Sequence, residues 1–370
     1  MKKCFRPVVA GATMALLMAG SGLAAADDDF DDLVFYQQTN LTSNIAGQAA
    51  VTDPNLQNPW GVAWAPAGAL WVSDNANGLS TLYNGTGAIV PLVVTIPPAG
   101  AAPTGMVWNP NPNQFHIPGT TIGATFIFDG EDGTITAWNP AADPVMAGQS
   151  TASLVIDSSA TGAVYKGLAY GTNVHGNFIF ATNFNSGQIE AYDVNFKLTA
   201  LDGAFVDPRL PANYAPFGIA NIDGDLFVTY AEQDAPKHDP VHGDGLGFVD
   251  VFSTNGVFIR RFASRGVLNA PWGVARAPSG FGLFGGEVLV GNFGSNGRFG
   301  GWINAFGNRG QFLGELRNPH GRPIAIPGLW ALFFGTFAAS DGDTLYFTAG
   351  PDDEVNGLFG KLTPAPFTHR

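Results

Sequence analysis

Two histidines and two aspartates fall within seven residues of one another, in His238-Asp239-Pro240-Val241-His242-Gly243-Asp244. Imidazole and carboxylate together suit Zn, Mn or Fe, whereas oxygen donors alone suit Ca²⁺. His238, Asp239, His242 and Asp244 are therefore candidate metal ligands, or the aspartates orient the histidines from behind. Pro240 and Gly243 oppose a helical arrangement of the two imidazoles, so a loop must bring them together. Without a metal, the four are ordinary solvent-facing loop residues. A second set of polar residues is spread along the chain, each group following a hydrophobic run: Asp74 with Asn75, Asp129 with Asp132, Asn183 with Asn185, Asn292 with Asn296, and Asp352-Asp353-Glu354. If these oxygen donors converge they suit Ca²⁺ or a similar cation; if they do not, each closes its own turn.

Familiar catalytic signatures are absent: the sequence has no G-x-S-x-G, H-E-x-x-H or C-x-x-C motif and no Walker loop. One G-x-G-x-x-G occurs at Gly280–Gly285, but a hydrophobic run follows it rather than a helix, which argues against dinucleotide binding. The acidic run Asp27-Asp28-Asp29-Phe30-Asp31-Asp32 reads as a flexible, solvated start, the alternative being loose calcium binding. Asp223-Gly224-Asp225 and Asp341-Gly342-Asp343 read as hairpin turns.

The elements that must position these residues show in a repeat. A residue, often aromatic, precedes Gly and a hydrophobic run in Pro59-Trp60-Gly61-Val62, Thr104-Gly105-Met106, Lys166-Gly167-Leu168, Pro216-Phe217-Gly218-Ile219 and Pro271-Trp272-Gly273-Val274. An altered copy is Pro327-Gly328-Leu329-Trp330, and the six glycines stand 44 to 62 residues apart. Within the units, alternating runs bounded by Gly, Asn and Asp predict strands, such as Leu79–Tyr83, Thr134–Trp138 and Gln188–Tyr192. About four strands per unit predicts an all-β, six-bladed β-propeller with four-stranded blades. The last unit holds only three strands, so the strand Leu33–Gln38 is expected to complete it, since a closed propeller leaves no unpaired edge there. The propeller is one domain over 33–364, with a tail over 365–370. In such a fold the polar groups above share one face, so Asp74, Asn75, Asp129, Asn183, Asn185, Asn292, Asp352, Asp353 and Glu354 are candidates for the channel mouth. The loop Glu232–Gly247, about twice as long as its counterparts, is expected to fold over that mouth.

Composition agrees with this architecture. With 49 Gly and 29 Phe among 370 residues and only 13% charged residues, the chain is too poor in Glu and Lys for a helical bundle and too apolar to stay disordered. Its net charge of −13, with no basic cluster after residue 6, excludes a nucleic-acid partner. Lys2, Lys3 and Arg6, an apolar stretch and Ala24-Ala25-Ala26 predict a signal peptide over 1–26, cleaved to leave Asp27 first. The expected location is therefore periplasmic or extracellular. The single cysteine, Cys4, lies in that leader, so disulfide and thiolate chemistry are excluded from the rest. No later apolar run is long enough to span a membrane; residues 324–339 are broken by Pro327, Gly328 and Gly335.

Several stretches resemble a known family. They are Asp53-Pro54-Asn55-Leu56-Gln57-Asn58-Pro59-Trp60-Gly61, Tyr230–Ala235 with Lys237-His238-Asp239, Leu268–Gly273, Gly328–Leu332, and Phe347–Pro351 with Gly357–Gly360. The chain is similar over residues 35–363 to an uncharacterised family of exported bacterial proteins, some of which carry a PEP-CTERM sorting tail. The resemblance implies a propeller shaped like NHL-repeat and gluconolactonase-like proteins, and it carries no catalytic residues over. Residues 363–370 do not resemble the tail of those members, so a free exported form is expected.

Two functions follow from these readings. One is a monomeric binding or interaction module for an unknown ligand or protein. The alternative is a metal-dependent hydrolase or lyase of lactonase-like type, in which a Ca, Zn or Mn ion at the channel mouth polarises a carbonyl. What separates them is whether three ligands converge with an acid or base nearby.

Overall fold

A computed structural model describes residues 35–368 except Asn296. The leader over 1–26, the cleavage point before Asp27, the acidic start and Leu33 lie outside these residues. The described chain folds as a six-bladed β-propeller. Blade 1 contains Pro59–Trp64, Leu70–Asp74, Leu79–Tyr83 and Ile89–Thr95. Blade 2 contains Pro103–Trp108, Phe126–Gly130, Thr134–Trp138 and Ser153–Asp157. Blade 4 runs Tyr214–Ile222, Asp225–Gln233, Phe248–Ser253 and Phe258–Ser264, and blade 5 runs Pro271–Arg276, Val288–Asn292, Ile303–Phe306 and Phe312–Glu315.

Blade 3 departs from the four-strand expectation, with only Tyr165–Asn173, Gly176–Asn183 and Gln188–Tyr192. The following chain contributes one bridge, Tyr192 to Leu198, and then leaves. Its Gly203 and Phe205 amides donate instead to Asn255 and Gly256 of blade 4 (2.8 and 2.9 Å). Pro208 and Pro211 have no amide hydrogen for a fourth ladder. The glycine motif at Gly280–Gly285 forms a single 3-10 turn, Gly282–Phe284, before the strand Val288–Asn292.

Each first strand carries a β-bulge at the same place, and this is the physical content of the repeat. The bulged pairs are Trp60-Gly61, Thr104-Gly105, Lys166-Gly167, Phe217-Gly218, Trp272-Gly273 and Trp330-Ala331. The sixth copy is therefore centred on Trp330-Ala331, not on Gly328 as the sequence pattern suggested. Gly328 instead lies before the strand, with φ of 66°. The glycines are needed for close approach: a Cβ on Gly61 would stand 2.4 Å from the Thr104 carbonyl oxygen, and one on Gly218 2.2 Å from that of Trp272. The residue before each glycine faces the axis. There Trp60 stacks on Trp330 with centroids 3.4 Å apart, and Trp272 meets both rings edge-on at 6.0 and 5.8 Å. Phe217 meets Trp60 and Trp330 edge-on (6.3 and 6.0 Å). The channel is plugged by aromatic side chains.

Closure follows the expected route. The strand Phe35–Ser43 pairs antiparallel with Leu358–Ala365, as the outer strand of a blade whose other members are Leu345–Ala349 and Leu329–Phe333. Tyr36 is buried, stacks on Phe281 (4.7 Å) and donates its hydroxyl to the Phe281 carbonyl (3.1 Å). The final strand runs to Ala365, and Phe367 packs on Phe35 at 5.1 Å, so this part of the tail is built into the blade. A protein beginning at Thr42 loses most of this outer strand and exposes the edge of Leu358–Ala365. Its melting temperature should fall by several degrees with a higher tendency to aggregate; differential scanning calorimetry with light scattering checks both, and an unchanged melt would show that the strand is dispensable.

Candidate functional site

Every first strand begins, and every second strand ends, on one face of the propeller, called here the upper face: Pro59 pairs with Asp74, Tyr165 with Asn183, Pro271 with Asn292 and Leu329 with Ala349. The polar residues singled out in the sequence do share this face, but most of them do not point into its centre. Asp129 is buried and accepts the Gly105 amide (2.6 Å) and the Thr104 hydroxyl (2.9 Å). Asn183 accepts the Ser186 amide (3.2 Å) and donates to Glu190 (2.7 Å). Asn292 accepts the Asn269 amide (3.0 Å) and donates to the Val267 and Phe299 carbonyls (2.8 and 2.9 Å). Asp74 is fully buried, and burial pushes its carboxyl well above the ordinary range. Asp132 accepts the Thr134 hydroxyl within its own turn (2.9 Å). Apart from Asp74, whose buried carboxyl oxygens have no hydrogen-bond partner among the described residues, these side chains staple strand ends. Asn185 reaches only the Pro236 and Lys237 carbonyls, at 3.5 Å, and Asn296 lies outside the described residues.

The long loop is ordered by its own chemistry. Pro240–Val241 folds back onto Glu232 and Gln233 as a short antiparallel strand. The Asp234 carboxylate accepts the His238 and Asp239 amides (2.8 and 3.2 Å). This geometry divides the four proposed ligands. Asp244 accepts the Arg298 and Phe299 amides (both 3.2 Å), so it braces a blade 5 loop. His242 packs edge-on against Phe293 (5.0 Å) and meets Ser295 through Nδ1 (3.3 Å). His238 and Asp239 instead join Glu131, which the sequence reading did not single out; one ligand atom from each lies within 4.8 Å of the others.

A cation already stands among these groups. Lys166 is buried, and its ammonium pairs with Glu131 and lies 3.3 Å from Asp239 and 5.3 Å from the Trp60 ring centroid. Burial pushes the Asp239 carboxyl up, but Lys166 and His238 outweigh it and hold the group below its ordinary value. Glu131 accepts from Asn75 (2.8 Å), Asn75 accepts from Asn58 (3.1 Å), and Asn58 donates to Glu354 (2.8 Å). Trp330 donates its indole N–H to Asn58 (2.8 Å), and Trp272 donates to the Lys166 carbonyl (2.7 Å). This network joins all six blades above the aromatic plug. Lys166 had a sequence signal: it is the charged exception at a repeat position otherwise held by Trp, Phe or Thr. Glu131 had none, because only folding carries it from a hairpin turn to Lys166.

Beside the network lies a pocket of about 390 Å³ lined by His242, Phe293, Ser295, Pro327, Gly328, Gly350 and Asp352-Asp353-Glu354. All three acidic residues hold positive φ, at 57°, 53° and 67°. Three successive non-glycine residues in the left-handed region carry roughly 1–2 kcal/mol of strain each, so their positioning is imposed by the surroundings. Burial pushes the Glu354 carboxyl up and holds the His242 imidazole below its ordinary value. A larger funnel of about 440 Å³ opens on the opposite face. Its charged residues, Arg276 and Asp223, already pair at 2.8 Å.

Sequence comparison identifies relatives from Acanthamoeba polyphaga mimivirus. Uncharacterized protein R648 is 34% identical over 334 residues, covering 87% of this chain and 78% of the viral protein. The corresponding values for uncharacterized protein L690 are 33% over 335 residues, 87% and 84%. The chain belongs to their family. No family model matches it. Among solved structures, a virginiamycin B lyase from Staphylococcus aureus with quinupristin aligns with a TM-score of 0.51 at 16% identity, over 89% of this chain and 99% of the lyase. A PQQ-bound aldose sugar dehydrogenase from Streptomyces coelicolor aligns at 0.52 and 14%, over 90% and 99%. At such identities the likeness is one of fold alone.

Removing the ammonium should strand Glu131 in a largely dry site. Lys166→Met is expected to destabilise by about 3 kcal/mol, and Lys166→Met with Glu131→Gln to recover part of it; urea melts of both variants measure the coupling, and additive effects would refute it. Asp129 supplies a pH test. Burial raises its carboxyl from 3.8 to about 7 in the folded protein, so its stabilising contribution is full below about pH 4 and is lost as pH rises through about 7. Asp129→Asn keeps an oxygen acceptor for Gly105 and Thr104. It should be more stable than the parent near pH 8, with the gap narrowing toward pH 4 in a series of urea melts.

Proposed function

We propose that this protein is a ligand-binding propeller that holds a small organic molecule in the upper-face pocket. One observation carries the reading: the aromatic part of the pocket lining is fixed in advance, because Phe293 stacks on Trp330 at 3.7 Å, and Trp330 in turn stacks on Trp60 in the plug. The polar part of the lining is also restrained, with Glu354 held by Asn58 and His242 by Phe293 and Ser295. Groups fixed before binding lose little entropy on binding. The volume suits a small molecule. We further propose that binding takes place outside the cytoplasm, after loss of Met1–Ala26.

The approach of Glu131, His238 and Asp239 favours a second reading, a hydrolase or lyase that uses a divalent cation. Those three residues would hold Ca, Zn or Mn, the ion would polarise a substrate carbonyl, and His242 would offer a neutral base. The Lys166 ammonium competes for the same oxygens, which makes this the weaker fit.

A thermal-shift screen with neutral, cationic and anionic small molecules separates the two. Under the first reading, ligands raise the melting temperature of the parent but not of Ser295→Trp, whose indole fills the pocket. Under the second, the stabilising agent is a divalent metal, and His238→Ala removes both the shift and the bound metal measured by elemental analysis. Ligand shifts that survive Ser295→Trp would overturn the pocket assignment.

A further inference from the structure

The pocket's lining says more about its occupant than its volume does. Three acidic residues, Asp352, Asp353 and Glu354, line the cavity, and among the described residues no lysine or arginine does; Asp352 also accepts from Asn356 (2.9 Å), and Asp353 is left open. The nearest buried ammonium, Lys166, is already engaged by Glu131 and Asp239. Burial pushes the His242 imidazole below its ordinary value against the opposing pull of Asp239 and Asp353, so its charged form is disfavoured. The apolar part of the lining is Phe293 and Pro327.

A bare metal ion keeps its hydration shell against such apolar groups and gains nothing from them. A molecule with a protonated nitrogen next to a carbon skeleton satisfies both parts of the lining, setting its charge against the aspartates and its carbon against Phe293. We infer that the pocket selects an organic ammonium, a protonated amine with an apolar group adjacent to the charge. This inference rests on the pocket being the binding site, and it goes beyond that reading by fixing the ligand's charge.

The left-handed turn has a part in the selection. It gathers Asp352, Asp353 and Glu354 within one compact turn at the pocket, where an extended segment would spread them along the chain. The strain is held by the Asn58–Glu354 bond and by the Glu354 amide, which donates to Gly350 (3.2 Å).

Three probes of matched shape test the inference by isothermal titration calorimetry: benzylamine, benzyl alcohol and benzoate. The site variant is Asp352→Asn with Asp353→Asn, both exposed positions where asparagine tolerates positive φ. Benzylamine should bind the parent at least tenfold more tightly than benzyl alcohol, benzoate should bind more weakly still, and the double variant should lose most of the preference while melting as the parent does. Benzyl alcohol or benzoate binding as tightly as benzylamine, with all binding lost in Ser295→Trp, would overturn the ammonium inference and leave the pocket assignment standing. A preference for benzylamine that survives Asp352→Asn with Asp353→Asn would place the cation elsewhere and overturn it. Failure of all three probes to bind would also overturn it, and the pocket assignment would then rest on the wider screen.

Discussion

Six inner strands converge on one axis, and the distance at which they can do so governs the molecule. Glycine in the bulge of five of these strands lets a neighbouring backbone come within the space a methyl group would fill, as between Gly61 and Thr104. Blade 6 carries Ala331 at this position. The same bulges aim the preceding side chains inward, so close approach and the aromatic plug are one feature. Aromatic pairs contribute roughly 0.5–1.5 kcal/mol each beyond their burial, and several meet at Trp60 and Trp330. Thr348 seals the last blade to the first by donating to the Trp60 carbonyl (2.6 Å).

Lys166 occupies one of the six plug positions and turns its side of the axis polar. Taking an ammonium out of water costs several kcal/mol. Attraction to a carboxylate at 3.3 Å is worth roughly 5 kcal/mol at an effective dielectric of about 20, so the two carboxylates and the Trp60 face offset that cost. The arrangement also has a positional effect. Because Asp239 is in the long loop, Glu131 in blade 2 and Glu354 in blade 6, the one cation and two asparagines fix the relative places of segments far apart in sequence. The pocket inherits its shape from that arrangement.

Oxygen-bearing side chains on a propeller face are easily mistaken for ligands. Asn183 and Asn292 spend their hydrogen-bonding capacity on backbone groups and on Glu190, and Asp129 spends one oxygen on Thr104 and Gly105. Those bonds stitch strands where the ladders end. Asp74 and one oxygen of Asp129 keep unused capacity but are sealed from solvent; the residues that a ligand can reach are on loops, in the long hairpin of blade 4 and the left-handed turn of blade 6. Shared fold with a lyase and a dehydrogenase is compatible with this, because the blades supply the frame and the loops supply the chemistry.

Much of the architecture was legible in the chain itself. Strands such as Leu79–Tyr83, Thr134–Trp138 and Gln188–Tyr192 were marked by alternation and turn residues, because strand formation answers to a local period of two. The aromatic-glycine repeat marked the blades, and the shortage of strands in the last one pointed to closure by the N-terminal segment. The centre of the sixth repeat was misplaced because Ala331 replaces the glycine that marked the others. The missing outer strand of blade 3 depended on where the chain found its next partner. The site was legible only as a list of polar residues. Whether His238 and His242 would share a ligand, and whether Glu131 would meet Lys166, turned on distances between segments tens of residues apart. Composition and periodicity determined that there would be blades with polar loops on one face. Only tertiary packing decided which loop residues were consumed in holding that face together and which were left to meet a ligand, because hydrogen-bond saturation depends on neighbours brought together by the closed propeller.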